Sequence, residues 1–296
     1  MTHKISAAAA ALALVFCLAG CAPKAEAQIS SIPGERGEIP ATLTVPEGES
    51  DFPAVVLCHG FTGERGLDGH AEVLAKDLAD NGIATLSIEF AGHGDSTEPF
   101  TAYTPSSMES DIRSAVRYLV EDCSADPDRI GILGHSMGGR AAALALDDTF
   151  RAAALWAPAA GKGLDGLEFI DHDPAVRQAL FDASEGGTVV LPRYELTVTR
   201  QFMEEMAESD PCESIKNYTG ALLVVFSGAD VELFSQQTID RTLDAARSRG
   251  LPFTDLTPEF GDATHNLTGP SDDTDADKAI RSRIDSATVA FFAENL

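Results

Sequence analysis

The pentapeptide Gly134-His135-Ser136-Met137-Gly138 reads G-x-S-x-G and lies between a short apolar run, RIGILGH, and an alanine-rich stretch, MGGRAAALALD. A serine hydroxyl is a weak nucleophile at its own pKa and needs a base within hydrogen-bond reach, itself oriented by an acid. A strand-to-helix turn tight enough to demand small flanking residues would lift the Ser136 hydroxyl above a sheet edge. On such a topology the acid and then the histidine follow, each in a loop after a later strand. ALLVVFSGAD closes an apolar run at Asp230, and EFGDATHNLTG puts His265 in the loop after the next short strand. Glu232, in the same loop as Asp230, and Asp262, three residues before His265, are the competing acids. Asp230 lies closest to the strand end. Acyl transfer also needs donors aimed at a developing oxyanion. Met137, at the helix start, offers one backbone N–H. Phe61, in HGFTG after the first central strand, offers the second.

The elements that must position these residues alternate along the chain. AVVLCHG is continuously apolar, as expected of a strand covered on both faces. HAEVLAKDLADNG has helical spacing, with Val73, Leu74 and Leu78 on one side and Asn81-Gly82 as a stop. IATLSIEF reads as strand, and PSSMESDIRSAVRYLVED as a helix opened by Pro105. RAAALWAP and ALLVVFSG continue the strands, TIDRTLDAARSRG is helical, and a final helix runs to the end of the sequence. This alternation predicts an α/β fold, a mostly parallel central sheet flanked by helices. One interval breaks the rhythm, between Pro158 and Tyr218. It predicts an inserted lid over about 159–217, above the sheet edge where open α/β sheets bind ligands. Phe169 and Phe181 are lid aromatics that could face a substrate ring or pack the lid down. Glu195, Glu204 and Glu205 could anchor a substrate amine, and His172 could touch substrate. His59, His93 and His135 fit structural turn roles.

The first twenty residues differ in kind. Lys4 is followed by ISAAAAALALVFCLAG and then Cys21, the layout of a signal peptide. Residues 21–36 read as a polar tether and 37–296 as the folded domain. Loss of Lys4 with the leader takes the net charge from −26 to −27. Such a surface repels nucleic acid and anionic headgroups and favours an uncharged substrate. Cys58 sits in an apolar run as a buried thiol, whereas Cys123 and Cys212 lie in polar connections and could pair in an exported protein. No Cys-x-x-Cys or histidine-rich spacing points to a metal, and no cofactor is expected.

LAGC resembles the lipobox of bacterial lipoproteins, which implies lipidation of Cys21, export to the cell envelope and membrane contact through that anchor alone. VVLCHGFTGERG, IATLSIEFAGHGDS, DPDRIGILGHSMGG, FSGAD and ATHNL together resemble the α/β-hydrolase family, above all bacterial cinnamoyl/feruloyl esterases and serine-aminopeptidase-like hydrolases. The resemblance covers roughly residues 30–296 and is weakest in the lid. It implies Ser136 as nucleophile, His265 as base, Asp230 as acid, and Phe61 and Met137 as oxyanion donors. The acid loop reads ADVELFSQ where the family usually runs toward a proline, which keeps Glu232 open. The expected function is hydrolysis of a small carboxylic ester, feruloyl-type or short-acyl. The alternatives are a peptidase of the same fold and a non-catalytic, ligand-binding envelope lipoprotein.

Overall fold

The computed structural model describes residues 26–28, 30–47, 50–271 and 274–296. The expected leader and Cys21 lie outside the described residues. In chain order come β1 (Glu26–Gln28), β2 (Ser31–Pro33), β3 (Glu38–Val45), β4 (Phe52–Cys58), α1 (His70–Ala79), β5 (Ala84–Ile88), α2 (Pro105–Glu121), β6 (Ala125–His135), α3 (Met137–Leu144) and β7 (Phe150–Trp156). They are followed by α4 (Pro174–Ala183), β8 (Thr188–Leu191), β9 (Leu196–Thr199), α5 (Arg200–Glu208), α6 (Pro211–Asn217), β10 (Ala221–Val225), α7 (Gln236–Ser248), β11 (Thr254–Asp255) and α8 (Asp275–Asn295).

β4 and β5 are buried along their whole length, which is why they read as unbroken apolar runs. The main sheet has the order β1-β3-β5-β4-β6-β7-β10-β11. From β5 to β11 every pairing is parallel, while β3 runs antiparallel to β5, and β1 and β2 antiparallel to β3. Residues 26–28 and 31–33, expected within the tether, are therefore strand, because β3 offers its outer edge for pairing. Glu26 pairs with Val45, at the end of β3 that lies beside the start of β5. The chain thus enters the body at the edge of the sheet opposite the C-terminal ends of the parallel strands.

Helices cover both faces. Val56, Ile132 and Leu155 bury one face beneath α2, α3, α6 and α7, and Val55, Leu57, Leu133 and Leu223 bury the other beneath α1 and α8. In α1 the buried positions are His70, Ala71, Leu74, Leu78 and Ala79, whereas Val73 is 43% exposed and falls outside the stripe. α2 starts where Thr104 accepts the Ser107 N–H and Pro105 occupies the first turn.

The interval between β7 and β10 holds α4, the β8–β9 hairpin and α5, followed by α6. α6, inside the interval expected as lid, packs against α3 and α7 as an ordinary crossover helix. Cys212 is buried at the start of α6, with Sγ 3.5 Å from the Ala160 carbonyl, and Cys123 follows α2. Both are free thiols, so the suggested pairing is not formed. Burial raises the pKa of both.

Both ends of the lid are held by one side chain. Arg140, on α3, is 1% exposed. Its guanidinium donates to the carbonyls of Ala159 and Gly161, each at 2.8 Å, and to Ser209 Oγ at 2.7 Å. Burial pushes its pKa down to about 10, which leaves it cationic at neutral pH. Arg140→Met keeps the bulk but orphans these acceptors. It is expected to destabilise the protein by about 2–4 kcal/mol, read as a lower urea midpoint. Limited proteolysis should then cut first within the lid.

Candidate active site

β6 ends at His135, and Ser136 turns the chain into α3 with φ 56° and ψ −116°. This left-handed backbone is unfavourable for a residue with a side chain, costing on the order of 1–3 kcal/mol. The surroundings enforce it. The Ser136 N–H donates to the Trp156 carbonyl at 2.9 Å, and the Ser136 carbonyl accepts from Arg140 N and Ala159 N, each at 3.0 Å. A Cβ at Gly134 would stand 2.3 Å from the Gly138 carbonyl oxygen, and one at Gly138 would stand 2.3 Å from that of His59. Only glycine lets the turn and the β4 loop approach so closely.

The other two side chains come from the same sheet edge. After β10, a tight helical turn over Gly228–Glu232 buries Asp230 completely. Its Oδ2 accepts the Ser227 N–H at 2.5 Å, and its Oδ1 lies 2.5 Å from His265 Nδ1. His265 follows β11, and its Nε2 lies 3.0 Å from Ser136 Oγ. With Asp230 accepting at Nδ1–H, Nε2 is left as the acceptor for the serine proton. The structure thus brings Ser136, His265 and Asp230 into one hydrogen-bonded chain. Glu232 is exposed and its carbonyl meets His172 Nε2 at 3.0 Å, while Asp262 pairs with Arg283. Neither competing acid reaches His265.

Met137 opens α3, so its N–H belongs to the first turn, where no intrahelical acceptor exists. The β4 loop crosses directly over Ser136: a Cβ built on Gly60 would lie 2.9 Å from the Ser136 Cβ. Phe61 is the next residue. Its ring packs against Phe100, Tyr103, Phe169 and Tyr194 at 5.1–5.9 Å. A cleft of about 230 Å³ opens on Ser136 and His265, with Phe61, Glu64, Asp68 and Asn266 in its wall. A larger groove of about 1000 Å³, between Thr42, Ser87 and α1, touches none of Ser136, Asp230 or His265.

The lid residues singled out in the sequence lie elsewhere. Phe169 is buried against Phe61 and Tyr194, and Phe181 lies under the Arg200 guanidinium, so both pack the lid. Glu204 pairs with Arg200, Glu205 accepts from Ser106 at the start of α2, and Glu195 lies at the hairpin turn. None lines the cleft.

Three histidines in the motifs take the structural roles expected of them, through partners that the sequence does not name. His59 Nε2 accepts the Phe90 N–H at 3.0 Å, and its Nδ1 faces the Gly60 carbonyl at 2.8 Å. His93 Nε2 accepts the Thr62 N–H at 3.2 Å, and its Nδ1–H donates to the Ala91 carbonyl at 2.8 Å. These two rings, 4.8 Å apart, fix the loop that carries Phe61. His135 Nε2–H donates to the His265 carbonyl at 3.0 Å. Burial keeps all three neutral, pushing His59 and His135 down to about 3 and lowering His93. The available signal was the position of each in a Gly-flanked strand-end motif, HG, GHG or GHSMG.

Residues 55–284 match the Alpha/beta hydrolase family. An uncharacterised 31.7 kDa protein of Escherichia coli is 33% identical over 101 residues, 34% of this chain and 35% of its own. Esterase EstD of Thermotoga maritima is 25% identical over 211 residues, 66% of this chain and 50% of its own. The chain thus matches a third to a half of the length of these relatives. Among solved structures, ferulic-acid-bound Est1E from Butyrivibrio proteoclasticus superposes with a TM-score of 0.64 at 18% identity, covering 90% of this chain and 98% of that one. A Mycobacterium tuberculosis puromycin-hydrolyzing peptidase gives 0.62 at 21% identity, covering 93% and 40%.

The buried neutral histidines make stability depend on pH. An unfolded chain protonates each ring near pH 6.5, whereas the folded chain keeps His59 and His135 neutral down to about 3. Their stabilising contribution is complete above about pH 6.5 and is lost progressively as pH falls toward 3. Urea unfolding should show stability falling between pH 6.5 and 5, with a slope of order 1 kcal/mol per pH unit for each ring. His135→Gln should make that slope shallower.

Proposed function

The chain belongs to the alpha/beta hydrolase family, and on that premise we propose that it is a serine hydrolase of carboxylic esters working through an acyl-enzyme on Ser136. The observation that carries this reading is the chain of contacts from Ser136 Oγ through His265 to the buried Asp230. In this mechanism His265 Nε2 takes the hydroxyl proton as Ser136 Oγ attacks the ester carbonyl. The Asp230 carboxylate holds the ring and balances the imidazolium that forms. The N–H groups of Phe61 and Met137 receive the oxyanion, an interaction typically worth about 2.7–4 kcal/mol per donor. His265 returns the proton to the leaving alkoxide, and the alcohol departs. Water, deprotonated by His265, then attacks the acyl-enzyme, and Ser136 regains its proton.

Cleft size supports short-acyl esters over hydroxycinnamates. About 230 Å³ is below the range of roughly 300–1,000 Å³ usual for drug-sized ligands. The aromatic rings near Ser136 are engaged with one another. A peptidase reading has one specific support: the cleft wall includes the acidic residues Glu64 and Asp68 and no lysine or arginine, a setting suited to a substrate amine. Cys21 is proposed as a lipid anchor that holds the enzyme in the bacterial envelope.

Ser136→Ala and His265→Ala should stay folded and lose at least about 10⁴-fold in ester turnover. Asp230→Asn should lose about 10³–10⁴-fold, and Glu232→Gln should stay within about twofold of the wild type. A fluorophosphonate should label Ser136 in the wild type, and folded protein that resists it would instead be a ligand binder. In a panel of acetyl, butyryl and feruloyl esters run beside aminoacyl amides, kcat/KM should be highest for the short acyl esters. Preferential cleavage of the amides would favour the peptidase. Cys21→Ala should release the protein from membranes of the expressing bacterium, and continued membrane retention would remove the anchor.

A further inference from the structure

The loop that carries His265 is held by a second histidine, remote in sequence from the serine, acid and base. His70, the first residue of α1, is 1% exposed. Its Nδ1 lies 2.7 Å from Oδ1 of Asp285, a buried carboxylate on α8, and its Nε2 lies 3.1 Å from the Asn266 carbonyl. Trp156, at the end of β7, packs edge-on against the ring at 5.2 Å. Both polar partners of the ring are acceptors, so both nitrogens carry hydrogen when both bonds are made, and Asp285 supplies the balancing charge. His135 donates to the carbonyl of His265 itself, one residue earlier. Two consecutive carbonyls, 265 and 266, are thus gripped from opposite elements: one from the residue preceding the nucleophile, the other from the helix that follows the Phe61 loop.

The loop needs such a grip. It turns tightly between Thr264 and Thr268, with the Thr264 N–H donating to the Thr268 carbonyl at 2.8 Å and Leu267 held at φ 56°. A left-handed leucine is costly and relaxes unless its neighbours are fixed. The peptide planes on either side of Asn266 set the direction in which the His265 ring leaves the backbone. A shift of about 1 Å in a reacting group can cost up to about 100-fold in rate.

We infer that His70, held by Asp285, is a positioning residue that fixes the His265 loop so that the imidazole meets Ser136 and Asp230 together. This rests on the reading of Ser136 and His265 as nucleophile and base. The test uses two replacements that differ in which ring nitrogen they imitate. His70→Asn retains a donor near Nδ1 for Asp285 and loses the one at Nε2, whereas His70→Gln places an amide N–H near Nε2 for the Asn266 carbonyl. In the full chain, His70→Asn should lower kcat, and the rate at which a fluorophosphonate labels Ser136, by about tenfold or more. KM should stay within about twofold, and His70→Gln should recover most of the loss. Asp285→Asn, which removes the carboxylate that faces Nδ1, should lower the labelling rate in the same direction. It serves as the readout if His70→Asn does not fold. Equal impairment of folded His70→Asn and His70→Gln, or wild-type labelling rates in His70→Asn or Asp285→Asn, would overturn the proposal. A wild type that is labelled at Ser136 but hydrolyses no ester would sink the ester reading, and the labelling rates would still decide the clamp. A wild type that resists labelling would remove the nucleophile assignment and this inference with it.

Discussion

Ser136 holds a backbone conformation that a side chain disfavours, and much of the surrounding structure serves to keep it there. Its amide is tied to β7 through the Trp156 carbonyl, and its own carbonyl is tied to α3 and to the start of the lid. Gly138 admits the β4 loop to contact distance, and Gly134 lets the turn close on α3. Because the same few peptide groups join β6, β7, α3 and the lid, relaxation of the turn would disturb each of them. The local cost is thus spread over a parallel sheet that is buried on both faces and resists deformation.

Buried histidines act as connectors around that turn. His59 and His93 accept backbone N–H groups and fix the loop above Ser136. His135 and His70 donate to backbone carbonyls and fix the loop of His265. Imidazole suits this role because it can offer a donor and an acceptor on opposite sides of one flat ring. Among the described residues, only the ring of His265 is placed against both a serine hydroxyl and a carboxylate. Residues of one type therefore divide into one with chemical potential and several with mechanical duty, according to what each ring nitrogen faces.

The parts of this arrangement that depend on local sequence were legible in advance. Apolar runs and helical spacing predicted the alternating strands and helices, and chain order singled out Asp230 and His265 as partners for Ser136. What was not legible depends on contacts across long separations. Whether Phe169 and Phe181 face a ligand or pack the lid is decided by Phe61, on the β4 loop, and by Arg200, at the start of α5. α6 docks on α3 and α7, which its short sequence does not announce. Residues 26–28 and 31–33 read as tether because their pairing is with β3 and leaves no periodic pattern of its own. Nothing in the local sequence sets His70 apart, since its partners Asp285 and Asn266 lie about two hundred residues away.

The point at which the chain joins the sheet has a consequence for how the molecule would stand on a surface. Glu26 enters at the edge opposite the one that carries Phe61, Ser136, Asp230 and His265. Four residues lie between it and Cys21, so the leash spans at most about 18 Å. A lipid on Cys21, as proposed, would moor the body by its inert pole, and its strong negative charge would hold it off anionic headgroups. The mouth of the cleft would then look outward into the aqueous compartment. Substrates would arrive by diffusion through water, with no need to be lifted out of the bilayer.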